Sequence, residues 1–106
     1  MDLNEWAKAI HENAVSKGWW EDDRPLPEVL MLIISELAEA LEADRAGEGN
    51  LYEAENGKPE GVYVEVADAL IRILDWYGSQ KVDVEEIVRM KHEYNKTRPY
   101  KHGKRY

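Results

Sequence analysis

Apolar residues recur along the chain at intervals of three and four, and no stretch sustains the period-two alternation of a half-buried strand, so the pattern predicts helices throughout. A first helix is expected from Leu3 to Lys17, with Trp6, Ala9, Ile10 and Ala14 at helical spacing and Gly18 ending it. Trp19, Trp20 and the acidic turn Glu21-Asp22-Asp23 follow. Leu26-Pro27 opens a second helix, because a proline in the first turn forfeits no helical hydrogen bond. Its apolar stripe is Leu30, Ile33, Ile34, Leu37 and Leu41, and it stops near Gly47. Residues 47–59 (GEGNLYEAENGKP) hold three glycines, two asparagines and a proline, a loop longer than a plain helix connection requires. A third helix is expected from about Gly61 to Gly78, burying Val62, Val66, Ala69, Leu70, Ile73, Leu74 and Tyr77. Asp83 is a fitting N-cap for a fourth helix, which must stop before Pro99. The fold class is therefore all-α, four helices in a single domain spanning residues 1–106, without repeats. A core this small is one that a second copy would complete.

Composition narrows the picture. The chain has no cysteine, so disulfides and thiolate metal sites are excluded. The start, MDLNEWAKAI, lacks the basic and then apolar pattern of a signal peptide, and a cytoplasmic location is expected. The longest strictly aliphatic run, Val29 to Ile34 around Met31, is far short of a membrane span, which takes roughly 20 residues. A net charge of −8 argues against binding nucleic acid polymers. That charge is unevenly spread. Residues 1–88 carry 21 acidic and 7 basic side chains, whereas Arg89 to Tyr106 hold seven basic residues against Glu93 alone. An acidic body with a basic end can bind a metal with one part and an anion with the other.

Two carboxylate pairs stand out. Residues three apart share a helix face, so Glu36 and Glu39 are neighbours, as are Glu65 and Asp68. Each pair adjoins an apolar stripe, beside Leu37 and Val66, which puts all four near the contact between the second and third helices. A solvated acidic face is the ordinary explanation for either pair alone. Two pairs on consecutive helices, repelling one another, call for a positive partner. Oxygen-only ligands favour a hard cation, Mg²⁺ or else Mn²⁺. A di-iron bundle would want Glu-x-x-His, and positions 39 and 68 are Glu and Asp. On the fourth helix the face that starts with Val84, Ile87 and Val88 continues as Lys91, Asn95 and Arg98, residues suited to phosphate oxygens, a sugar or a base. Side chains that emerge from the core and snorkel to water would give the same pattern.

Glu36-x-x-Glu39, twenty-five residues, then Glu65-x-x-Asp68 resembles the signature of the MazG-like all-α nucleoside triphosphate pyrophosphohydrolases. SELAEAL, KPEGVYVEVADALIRILD and KHEYNKTRP resemble the corresponding family segments, covering most of Pro27 to Pro99. The resemblance implies a helical-bundle homodimer or homotetramer with Mg²⁺ held by Glu36, Glu39, Glu65 and Asp68. It implies hydrolysis of a nucleoside or deoxynucleoside triphosphate between the alpha and beta phosphates, giving a monophosphate and pyrophosphate. Glu36 or Glu39 would then serve as general base, and Lys91, Asn95 and Arg98 would contact phosphate or nucleotide. His11, Trp19 and Trp20 resemble family positions near the base, and indoles stack on any base. Ser35 departs from the pattern, standing where many members carry a further glutamate. That departure lends weight to the other function class, a non-catalytic nucleotide-binding or helical interaction module of the same fold.

Overall fold

Asp2 starts the first helix. Its carboxylate accepts from the Glu5 amide at 2.8 Å while the Glu5 carboxylate accepts from the Asp2 amide at 3.3 Å. Such a reciprocal cap stabilises a helix start by ~1 kcal/mol. Helix α1 then runs Leu3–Ser16 in a computed structural model that describes residues 1–105. Gly18, at a φ of 89°, breaks the chain into the turn bearing both tryptophans. Helix α2 spans Leu26–Arg45 with Pro27 in its first turn, α3 spans Val62–Gln80, and α4 spans Val84–Lys96. A single 3-10 turn follows at Tyr100–Gly103. Helix α3 is central, packed against α1 on one side and α2 on the other.

Between α2 and α3 the expected loop contains a short antiparallel hairpin, β1 (Tyr52–Glu53) against β2 (Pro59–Glu60), with Tyr52 opposite Glu60. Strands of two residues are too short for alternation to betray them. Past the hairpin the Gly49 and Asn50 carbonyls accept from the Val62 and Tyr63 amides at 3.1 and 2.9 Å, capping α3. Gly61 makes this possible. At its φ of 118° a Cβ would lie 2.5 Å from the Gly49 oxygen and 2.6 Å from the Asn50 oxygen.

Gly78 does not end the third helix, which continues to Gln80 and is closed by Lys81 in the left-handed region, φ 55°. Gly78 instead allows a close crossing. A Cβ there would sit 2.5 Å from both the Ala7 oxygen and the His11 Cβ of α1. The core at this crossing is Ala7, Leu74 and Val84, flanked by Leu3, Ile10 and Tyr77. Helix α4 is pinned to it by its first turn. Asp83 caps the Glu86 amide and accepts from Asn4 Nδ2 at 2.9 Å, and Asn4 Oδ1 accepts from the Val84 amide at 2.7 Å.

Between α2 and α3 the buried side chains are small. Ala40 and Ala43 follow Glu36 on one face of α2, and Ala69 follows Glu65 on α3. The stripes expected to be core are only half-covered: Leu30, Ile34, Leu37 and Leu41 on α2, Val66 and Leu70 on α3, and Ile87 and Val88 on α4 are all exposed. Helix α2 has two apolar faces, one toward α3 through Val29, Ala40 and Ala43, the other without a partner among the described residues. Accessible surface is correspondingly large, 8310 Å², against roughly 6,100 Å² for a compact chain of this mass. The radius of gyration, 16.4 Å, likewise exceeds the ~13 Å of a compact domain of this length. Among the described residues no helix is long and apolar enough to cross a membrane.

Candidate functional site

Helices α2 and α3 bring together three carboxylates. Oxygens of Glu36, Glu65 and Asp68 all lie within 4.8 Å of one another, and all three side chains are half-buried. Burial pushes the Glu65 carboxyl above its ordinary range, and the negative charges of Asp68, Glu39 and Glu36 push it further. Asp68 is raised by the same causes, burial first and then Glu36, against the opposing pull of Lys58 and Arg72. The fourth expected ligand, Glu39, is exposed and lies outside the convergent group, near enough to act on Glu65 through space. Its carboxylate makes no ion pair or hydrogen bond among the described residues. Ser35, where a further carboxylate was of interest, turns its hydroxyl onto the Leu32 carbonyl of its own helix at 2.7 Å.

The donor set is all oxygen, charged, convergent and under-compensated. Such a set suits a hard divalent cation and offers nothing to a thiophilic metal. The hairpin and its approach bear on the same region, since Glu48 adds to the charge felt by Glu65 and Lys58 to that felt by Asp68.

Glu36 and Asp68 also line a cleft of about 330 Å³ whose other walls include Trp19, Trp20, Arg24, Arg72 and Asp75. Trp19 and Trp20 thus line the same cleft as Glu36 and Asp68. The turn that carries them is tied back by Arg24, whose Nε donates to the Trp19 carbonyl at 2.6 Å and whose guanidinium carbon lies 5.6 Å from the Trp19 ring centroid. His11 is near but behind this wall. Its Nδ1 lies 2.8 Å from Asp75 Oδ1, its ring meets the Trp20 ring edge-on at 5.2 Å, and it does not itself line the cleft.

Three cleft residues escaped the sequence reading. Asp75 accepts from the Trp20 indole at 3.0 and 3.1 Å as well as facing His11. Arg72 donates from Nε to Glu36 at 2.7 Å. Arg24 holds the tryptophan turn. The available signal was weak but present: Arg72 lies one turn beyond Asp68, and Asp75 interrupts an otherwise apolar run, ILDWY.

Lys91, Asn95 and Arg98 are not part of the cleft within one chain. Helix α4 is joined to the body at its first turn, and none of the three lines the cleft or bonds to a carboxylate of the group. Lys91 and Arg98 instead flank Tyr94, at 5.0 and 5.8 Å from its ring centroid. Asn95 is half-buried, with its Oδ1 lacking a partner among the described residues. No family model, no curated protein and no solved structure matches this chain.

Proposed function

We propose that the cleft binds a nucleoside or deoxynucleoside triphosphate together with Mg²⁺ and hydrolyses it between the alpha and beta phosphates to a monophosphate and pyrophosphate. This is the activity implied by the resemblance to MazG-like pyrophosphohydrolases. The observation that carries it is the meeting, in one cleft, of convergent carboxylates from two helices with two tryptophans. Glu36, Glu65 and Asp68 hold the cation. A divalent cation bound there supplies charge neutralisation of the phosphate oxygens and a lower pKa for the attacking water. Glu36 and Glu39 are the candidates to take the proton of that water, and Glu39, free of internal partners among the described residues, is unencumbered for the task. Trp19 and Trp20 offer ring faces to the base, with His11 and Asp75 behind Trp20.

The chain acts in this reading as a homodimer or homotetramer. Support comes from the unpartnered apolar stripe of α2 and the surplus of about 2,200 Å² over a compact chain, a figure in the range that obligate subunits bury. Lys91, Asn95 and Arg98 reach a nucleotide, on this account, only through that assembly.

The test is a panel of nucleoside and deoxynucleoside triphosphates offered to the purified protein with Mg²⁺. Monophosphate and pyrophosphate are expected in equal amounts. A folded sample that yields neither across the panel overturns the proposal.

A further inference from the structure

Arg72 is the one cation hydrogen-bonded to the carboxylate group among the described residues. It sits one turn after Asp68 on α3, and its Nε donates to Glu36 Oε1 at 2.7 Å, with the two side chains 33% and 13% exposed. The same guanidinium lines the cleft and lies 5.9 Å from the Trp19 ring centroid. It therefore touches both halves of the site. Only Nε is engaged with Glu36, and the two terminal amino groups have no hydrogen-bond partner among the described residues. A guanidinium in that state retains the paired donors that match two oxygens of a phosphate.

A divalent cation bound by Glu36, Glu65 and Asp68 would share Glu36 with Arg72, and two cations on one carboxylate repel. A polyphosphate relieves that conflict, because it brings negative charge to the guanidinium as it leaves Glu36. We infer that Arg72 is a displaceable counter-ion: it neutralises Glu36 in the metal-free site, gives way when a divalent cation engages the carboxylates, and then holds phosphate oxygens of the substrate. The inference rests on the metal-dependent triphosphate reading and adds a coupling to it. Metal alone binds against Arg72, whereas metal with nucleotide binds with it, so each ligand tightens the other.

Titration calorimetry on the whole chain tests this with Mn²⁺ alone and with a non-hydrolysable triphosphate in saturating Mg²⁺. Loss of a part-exposed ion pair corresponds to a change of about fivefold in the competing equilibrium. Arg72→Gln should thus bind Mn²⁺ alone about fivefold more tightly than wild type, and the triphosphate about tenfold more weakly. Arg72→Lys, which keeps the charge, should return Mn²⁺ affinity toward wild type. A residue that merely supported the helix would weaken both ligands when replaced, and circular dichroism identifies a variant that has lost its fold. If wild type binds Mn²⁺ and Arg72→Gln binds it no more tightly, the counter-ion is overturned while the metal site stands. If wild type binds no Mn²⁺, the carboxylate reading fails and Arg72 with it.

Discussion

The indole N–H of Trp20 points at the carboxylate of Asp75, 3.0 and 3.1 Å from its two oxygens, across a sequence separation of 55 residues. This contact ties the turn after α1 to the middle of α3. It fixes the tryptophan wall relative to Asp68 and Glu65, about two and three turns earlier on the same helix.

Replacing Asp75 by alanine should free Trp20 and remove the partner of His11 without emptying a core, since the Asp75 side chain is 20% exposed. The expected result is a red shift and loss of intensity at the tryptophan emission maximum, with KM for the nucleotide raised several-fold and kcat changed less. A truncated partner of a charged hydrogen bond costs about 1.5–3 kcal/mol. An unchanged emission spectrum would show that Asp75 does not position the ring.

Glu65→Gln separates stability from catalysis. In the folded chain the pKa of Glu65 is raised above its ordinary 4.5 and that of Asp68 above 3.8, so the folded state holds protons that the unfolded state has already released. Stability contributed by these groups therefore falls as pH rises through the window above those ordinary values. Metal-free wild type should melt higher as pH drops from 7 toward 5. The Gln variant should lose part of that dependence, match or exceed wild-type stability at pH 7, and lose Mg²⁺-dependent turnover. Asp83 and Glu86 have lowered pKa values, and their contribution is lost only as pH falls below the ordinary carboxylate range. Melting curves of both proteins across this pH range decide the matter.

Gly78→Ala should be among the costliest small changes in the molecule. The added methyl meets the backbone oxygen of Ala7 and the Cβ of His11, neither of which can swing away. Overpacking of this kind costs about 1–3 kcal/mol. Chemical denaturation should show a lower midpoint with an unchanged slope. Gly47→Ala provides the contrast, since its Cβ meets nothing within 4 Å and its only strain is the φ of 73°.

Leu37→Arg tests the unpartnered stripe of α2. Leu37 is 48% exposed in the single chain, so a charge there leaves the α2–α3 contact intact. If a second copy covers this face, the variant should sediment as a monomer while keeping its helical circular dichroism. A wild-type chain that is already monomeric at micromolar concentration would remove the homodimer from the proposed function.

Much of this architecture was legible in the sequence because caps and breakers are local. Asp83 and the Leu26-Pro27 start act where their residues predict. Gly78 misled for a physical reason: glycine ends helices through its backbone freedom, but here it serves by lacking a side chain at a crossing, which no local pattern reveals. Periodicity also could not distinguish the two apolar faces of α2, since both obey the same spacing. Of the site, Glu36, Glu65 and Asp68 could be read from spacing, and the tryptophans from resemblance. Arg72 and Asp75 could not, because their meaning lies in partners 36 and 55 residues away. The basic face of α4 was real as a pattern, yet nothing in the pattern states how far the helix leans from the body.

The alanines between α2 and α3 set the bore of the site. Ala40, Ala43 and Ala69 are buried on the helix faces that carry Glu36 and Glu65, and oxygens of Glu36, Glu65 and Asp68 lie within 4.8 Å of one another. If the proposed cation binds there, its size is constrained by residues that never touch it. Widening that seam, as Ala69→Val would do, should shift preference from Mg²⁺ toward the larger Ca²⁺, turning a packing change into a change of metal.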